Sequence, residues 1–328
     1  MKEKRYFAGA NTSRGFVSYY DDIFRACRAI YIIKGGSGTG KSRMIREIAD
    51  FAEREGGDVE YFYCSFDPLS LDGIIINNDV AIVDGTAPHV YEPTLPGVKE
   101  NVVDLGAFWD EGKLRAQGEE IKALLGKKKK CFGMAYSYLS CIGALDATKR
   151  KIVDKYIERD RIAASAAKKL RDAKPITKGK EGIRLLSALG RSGVVSFDTF
   201  GDIAERVVVV DNKFGEGYLY LEEIKKEAKR MGIPSLVSYH PVLADRINAV
   251  MVGEDCAFIA YDPDKSPVSD AEEIDVQINT LLKKAEVWLS SAAHLHFDIE
   301  KLYVTAMNFD KKETFTVEFI NKLKAQIT

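Results

Sequence analysis

The chain of 328 residues has no apolar run of the ~18–20 residues that a membrane-spanning helix requires. Its opening residues, Met1 to Tyr6, are charged and carry no apolar signal region, so a cytoplasmic protein is expected. Cysteine is scarce. Cys27, Cys64, Cys131, Cys141 and Cys256 are odd in number, widely spread and nowhere spaced as C-x-x-C. That excludes a disulfide framework and fits reduced core thiols. Net charge is nearly absent, at -1, so the chain as a whole has no bias toward nucleic acid or a membrane surface. Proline is missing from Gly97 to Lys174, which leaves that stretch free to form long helices.

What is present suffices for a large core: 46% of residues are hydrophobic, over a length that fits two domains. The organising stretch is Ile30-Tyr31-Ile32-Ile33-Lys34-Gly35-Gly36-Ser37-Gly38-Thr39-Gly40-Lys41-Ser42. A short apolar run predicts a buried strand, a glycine-rich loop follows, and helical spacing begins after it. The loop matches G-x-x-x-x-G-K-[ST] from Gly35 to Ser42. A triphosphate brings several negative charges into a small volume. Glycines let backbone N–H groups close on its oxygens, and the helix N-terminus adds its dipole. Lys41 can bridge the terminal phosphates, and Ser42 can ligate Mg²⁺. Gly35, Gly36, Ser37, Gly38, Thr39, Gly40, Lys41 and Ser42 are the candidate binding residues, and ATP and Mg²⁺ the expected cofactors. An Asn-Lys-x-Asp guanine signature beside a suitable strand is lacking; Asp211-Asn212-Lys213 resembles only a piece of one.

Around this stretch, Phe7 to Thr12 reads as loop, and Phe16 to Ala29 as holding a short helix. Met44, Ile45, Ile48, Phe51 and Ala52 recur at helical spacing up to a glycine stop at Gly56-Gly57. Val59 to Cys64 predicts a second strand, broken at Asp67-Pro68. Ser70 reads as the cap of a turn or short helix leading through Ile74-Ile75-Ile76. Val80-Ala81-Ile82-Val83-Asp84 is an apolar strand ending in a carboxylate, the pattern that holds Mg²⁺ in phosphoryl-transfer sites. Asn101 to Leu105 predicts a further strand. Helical spacing then runs through Ile121, Leu124 and Leu125 to Tyr156 and Ile157, read as a hairpin of helices projecting from the core. Residues 122–191 hold 19 Lys/Arg against 6 Asp/Glu. A solvated helical face is the plain reading of that excess, and a nucleic-acid-facing surface the sharper one. Pro175 to Gly182 reads as a linker.

The second half echoes the first. Gly193 to Phe197 parallels Gly15 to Tyr19, and Arg206 to Val210 parallels Arg28 to Ile32. Ser238-Tyr239-His240-Pro241 parallels Ser65-Phe66-Asp67-Pro68, and Phe258 to Asp262 parallels Val80 to Asp84. Where the first half has Gly38-Thr39-Gly40-Lys41-Ser42, the second has Gly215-Glu216-Gly217-Tyr218-Leu219. The phosphate lysine and the magnesium hydroxyl are gone, and Asp211 and Glu216 add negative charge. The chain thus reads as two copies of one unit, the second unable to hold a triphosphate in the same way. Five stretches carry a family resemblance. They are Phe7 to Thr12, Lys34 to Ser42, Leu71-Asp72-Gly73-Ile74-Ile75, Val83 to His89, and Ala306-Met307-Asn308-Phe309-Asp310. On these the sequence resembles uncharacterised bacterial tandem P-loop ATPases over nearly its whole length. That resemblance implies an α/β fold: a duplicated three-layer P-loop NTPase core with a parallel sheet, each copy followed by helices. The expected division is a nucleotide-binding core at 1–106, a helical arm at 107–182, a degenerate α/β repeat at 183–268 and a helical segment at 269–328. Members usually keep both phosphate loops, and this chain departs from them there.

Hydrolysis needs a group that positions the attacking water. Many ATPases carry a glutamate directly after the magnesium aspartate, and here Gly85 follows Asp84. Asp67, after the second strand, is the leading carboxylate, with Asp72 and His89 behind it. Lys41, Asp84 and Asp67 are thus the candidate catalytic residues, and Ser42 and Asp84 the candidate metal ligands. Arg43, Arg46 and Arg115 read as surface ion-pair partners. His294 and His296 are two residues apart, which places them on different faces of a helix and argues against a shared metal. The function expected is ATP hydrolysis at one Mg²⁺-dependent site, with a pseudo-site beside it. A small-molecule or nucleotide kinase is the alternative. A third reading is a nucleotide-gated module that binds a protein, or nucleic acid through the basic segment.

Overall fold

The computed structural model describes residues 3–262 and 267–327. The first half runs β1 (Lys4–Phe7), β2 (Gly9–Thr12), β3 (Gly15–Ser18), α1 (Tyr20–Phe24), β4 (Ala29–Lys34), α2 (Lys41–Arg54), β5 (Val59–Tyr63), β6 (Leu71–Ile76), β7 (Val80–Asp84) and β8 (Glu100–Asp104). Six of these strands form one sheet in the order β1-β5-β6-β7-β4-β8. β4, carrying Ile30, Ile32 and Ile33, lies between β7 and β8 and is parallel to both. Its near-continuous apolar run fits a strand buried on both faces.

Two stretches differ from the sequence reading. Phe7 to Thr12 is strand: β1 enters the main sheet, and β2 pairs with β3 in a small hairpin. The segment through Ile74-Ile75-Ile76 is also strand, and it makes the sheet mixed. β6 runs antiparallel to β5 and to β7. Only residues 64–70 connect β5 to β6, too few for the crossover that a parallel pair needs. Between β6 and β7, Asn77 and Asn78 have φ of 54° and 59°, and the Asp79 N–H donates to the Ile76 carbonyl. That is a tight turn of the primed type, whose twist matches a hairpin.

After β8 come α3 (Glu111–Ala116), α4 (Gly118–Val153) and α5 (Arg159–Ala173). The second half runs β9 (Gly182–Ile183), β10 (Ser187–Gly190), β11 (Gly193–Ser196), α6 (Thr199–Ile203), β12 (Arg206–Asp211), α7 (Glu216–Arg230), β13 (Ser235–Tyr239), β14 (Ile247–Val252) and β15 (Cys256–Tyr261). Its sheet order is β12-β15-β14-β13-β9, with β12 parallel to β15 and β14 antiparallel to both neighbours. Order and directions match β4-β7-β6-β5-β1 in the first sheet. Each half also carries one two-stranded hairpin ahead of its first long helix.

The chain closes with α8 (Ser269–Ala306) and α9 (Phe309–Ile327). Among the described residues α4 and α5 do not pair with each other as a projecting hairpin. Instead α4 lies along α8, more than a hundred residues away, through Ala135, Leu139, Ile142, Ala285 and Leu289. Small residues alternating with leucine let the two backbones approach closely. α5 packs on α7 of the second half, while α9 returns to the first half, where Phe319 meets Tyr31 edge-on. The largest core cluster draws on both halves, from Phe7 and Phe62 to Leu185 and Phe200.

Candidate functional site

β4 ends at Lys34 and α2 begins at Lys41, so the six residues between them form the loop singled out by its glycines. Gly38 and Gly40 have φ of 71° and 80°, a left-handed backbone that glycine adopts without strain. The Thr39 hydroxyl donates to the Gly36 carbonyl at 3.0 Å and closes the loop on itself. The α2 N-terminus has no side-chain cap, so its first N–H groups face the loop unclaimed by a side chain. This is the geometry in which backbone donors and a helix dipole collect an anion.

Three of the predicted side chains converge here. The Lys41 ammonium donates to the Gly36 carbonyl at 2.7 Å and the Gly35 carbonyl at 3.2 Å, and lies 3.6 Å from Asp84 Oδ2. Asp84, at the end of β7, accepts from the Thr86 N–H at 2.9 Å and the Thr86 hydroxyl at 2.6 Å, both on Oδ1. Its other oxygen is the one turned to Lys41. Burial pushes the Asp84 carboxyl above its ordinary range, against the pull of Lys41. The Ser42 hydroxyl accepts from the Leu71 N–H at 2.8 Å, which leaves its second lone pair for a ligand.

The other candidates are placed differently. Asp67 is held by the Arg191 guanidinium at 3.0 Å and also accepts from the Leu69 N–H at 3.2 Å, both on Oδ1. Asp72 and His89 pair with each other, with His89 Nε2 3.0 Å from Asp72 Oδ2. Arg43, Arg46 and Arg115 are all ion-paired, to Glu47 and Glu313, to Glu3, and to Glu111. In the basic segment, Lys149 pairs with Asp275 and Arg150 with Asp146 and Asp245, so part of its charge is neutralised within the chain. Lys127, Lys129 and Lys130 stay exposed.

Sequence reasoning missed the residues that cover the loop. α8 crosses it: a Cβ at Gly36 would lie 2.6 Å from the Tyr303 ring, and one at Gly38 would lie 2.9 Å from Glu300 and Val304. His296 Nδ1 accepts from the Lys128 ammonium of α4 at 2.9 Å and is 3.4 Å from the Ser37 hydroxyl. Burial pushes the His296 ring down to about 4, and Lys128 and Lys41 add to the effect. Burial also raises the Glu300 carboxyl, with Asp67 adding to it. From α9, Lys312 is 1% exposed, and its ammonium would be 3.7 Å from a Cβ at Gly40. Burial lowers its pKa. Three lysines from three helices thus surround one loop. A cavity of about 510 Å³, lined by Trp109, Phe309 and Met307 among others, opens beside Gly40. No local spacing signals these contacts, because α8 and α9 lie more than two hundred residues downstream of the loop.

In the second half the loop between β12 and α7 has four residues, Asn212 to Gly215, against six in the first. Gly215 precedes the helix with φ of 84°, matching Gly40, so Glu216 holds the helix position that Lys41 holds. That is two residues earlier than residue-by-residue matching places it. The Glu216 carboxylate accepts from the Phe214 N–H at 2.6 Å, filling the helix end with the protein's own negative charge. Tyr218 donates to Asp262 Oδ2 at 2.9 Å, and Asn212 also donates to Asp262. Among the described residues no helix is long and apolar enough to cross a membrane. Comparison of the chain with protein-family models, curated proteins and solved structures gives no match.

Proposed function

We propose that the protein binds ATP with Mg²⁺ at the Gly35–Ser42 loop and hydrolyses it there, as a P-loop NTPase with one working site. The observation that carries this reading is the convergence of Lys41, Ser42 and Asp84 on a loop of left-handed glycines at an uncapped helix N-terminus. Backbone N–H groups would take the β-phosphate, Lys41 and Lys312 the γ-phosphate charge, and Ser42 with Asp84 the magnesium. The cavity beside Trp109 and Phe309 has the size of an ordinary small-ligand site and would take the nucleoside. The matching strand orders support a tandem duplication in which the second unit is a pseudo-site, its helix end occupied by Glu216.

Hydrolysis is favoured over transfer to an acceptor because Asp67, the carboxylate that would activate an acceptor, is engaged by Arg191. The test is phosphate release and analogue binding in Lys41→Ala and Asp84→Asn. Loss of one preorganised charge stabiliser lowers the rate by about a hundredfold or more. Release by Lys41→Ala at the wild-type rate would overturn the reading. Turnover that appears only on addition of an acceptor would replace it with a kinase.

A further inference from the structure

Beneath the phosphate loop lies a second cluster that the ATP reading does not use. Cys64 follows β5, Asp72 is on β6 and His89 is in the loop after β7. Each offers one donor atom, and the three atoms lie within 4.8 Å of one another. No other such trio of His, Cys, Asp or Glu occurs among the described residues. Asp72 and His89 are 6% and 5% exposed. The His89 ring is fixed from two sides: Tyr20 stacks on it at 5.4 Å and Phe16 meets it edge-on at 5.1 Å. The donors are therefore set by two strands and an aromatic slot.

A plain Asp–His ion pair accounts for two of the three groups. It leaves other features unexplained. Tyr20 is 2% exposed, and its hydroxyl lies close to Asp72, Asp84 and Cys64. The β6–β7 ladder pairs Gly73 with Val83, so the next residues along it, Asp72 and Asp84, bring two buried carboxylates to neighbouring strands. Two buried carboxylates beside a thiol and a phenolic oxygen, faced by the His89 ring and the Lys41 ammonium, leave a cluster of donor atoms that a divalent cation would draw together.

The donor set identifies the class of cation. Sulfur, imidazole nitrogen and one carboxylate oxygen suit a borderline metal, whereas Mg²⁺ takes oxygen ligands and keeps its waters. Ligand atoms about 2.0–2.1 Å from a tetrahedral zinc are about 3.3 Å apart. The His89–Asp72 separation of 3.0 Å is close to that and needs only a small opening. We propose that Cys64, Asp72 and His89 bind one transition-metal dication, of the Zn²⁺ type, separately from the magnesium assigned to Ser42 and Asp84. Three protein ligands leave a fourth position open.

The test is independent of the ATP reading. The full-length chain is loaded with Zn²⁺ or Co²⁺, dialysed against Mg²⁺ without nucleotide, and its metal content measured. The expected result is about one equivalent per chain, with a thiolate-to-cobalt charge-transfer band in the Co²⁺ form. Cys64→Ser, a near-isosteric change, removes the band and weakens retention by more than the roughly tenfold that loss of even an outer partner costs. His89→Gln lowers retention likewise, with circular dichroism confirming the fold of both variants. Lys41→Ala keeps the metal and the band, so a failed nucleotide site and a failed metal site are distinguished. Absence of bound metal at saturating Zn²⁺, or a cobalt band unchanged in Cys64→Ser, would overturn the proposal.

Discussion

His240 Nδ1 accepts two backbone N–H groups, from Val242 at 3.1 Å and Leu243 at 3.0 Å, so the ring can take a proton there only by losing both bonds. Its surroundings are mixed: Asp262 and Asp245 favour the charged ring, while Arg246 opposes it and Tyr218 meets it edge-on. Burial dominates and pushes the ring down to about 4. His296 is lowered to the same level by burial and by Lys128 and Lys41. An imidazole lowered in the folded state takes up its proton more readily on unfolding. Between the ordinary value of about 6.5 and about 4, the unfolded chain therefore binds more protons, and stability falls as pH falls. The loss per ring is at most about 3 kcal/mol, and less for His296, which is only half-buried. The urea midpoint is expected to fall more steeply from pH 7 to pH 4 in the wild type than in His240→Gln. The same slope in that variant would remove His240 from the account. Lys41 and Ser42 were legible in the sequence because local order places them, strand then loop then helix, and Asp84 because it ends an apolar strand, which pairs with β4. His240 was legible only as an echo of Asp67, since its role depends on which backbone amides reach it.

Among the elements, β4 and α2 could be read from a continuous apolar run and from helical spacing, both local signals. β6 could not. Leu71 to Ile76 has the composition of either element, and only the Asn77-Asn78 turn after it marks a hairpin. The pairing of α4 with α8 was out of reach for a different reason. Each helix shows its apolar face in the sequence, but nothing local says which other face covers it. That pairing decides how the Gly35–Gly40 loop is covered, because α8 runs on from the contact at Leu289 to Glu300 and Tyr303. Gly36→Ala would place a methyl group 2.6 Å from the Tyr303 ring, so ring or loop must move. Such overpacking destabilises by about 1–3 kcal/mol. The same substitution made in a Tyr303→Ala background is expected to be nearly neutral, because the obstructing ring is gone. A double-mutant cycle read by urea unfolding checks this. Equal losses in both backgrounds would mean that α8 does not rest on the loop.

At the scale of the whole molecule, the two halves do not stand side by side as separate bodies. Phe7 and Leu185 exchange backbone hydrogen bonds at 2.8 Å and 3.3 Å, and Phe7 stacks on Phe197 at 4.7 Å. α5 packs on the half after it, and α9 on the half before it, so packing is shared between the halves. The internal echo in the sequence anticipates the like strand orders of the two halves, but likeness carries no information about how the halves dock. The centre of the join is an ion pair. Glu60 on β5 is 2% exposed and accepts from the Arg184 guanidinium at 2.8 Å and the Lys180 ammonium at 2.8 Å. Burial alone would raise the Glu60 carboxyl, yet Arg184 and Lys180 hold it below its ordinary value. Arg184 also lies over the rings of Phe62 and Tyr6, at 5.2 Å and 6.0 Å. Removing Arg184 leaves the buried Glu60 with Lys180 as its one remaining cation, so Arg184→Met is expected to cost up to about 3 kcal/mol, the lower end of the range for a broken buried pair. Replacing both, as Glu60→Leu with Arg184→Met, leaves only the partly exposed Lys180 without its partner and should recover most of that loss. Because the pair spans the halves, unfolding of Arg184→Met should remain a single transition at lower urea. Two separated transitions would show that each half folds on its own and that the pair merely decorates their contact.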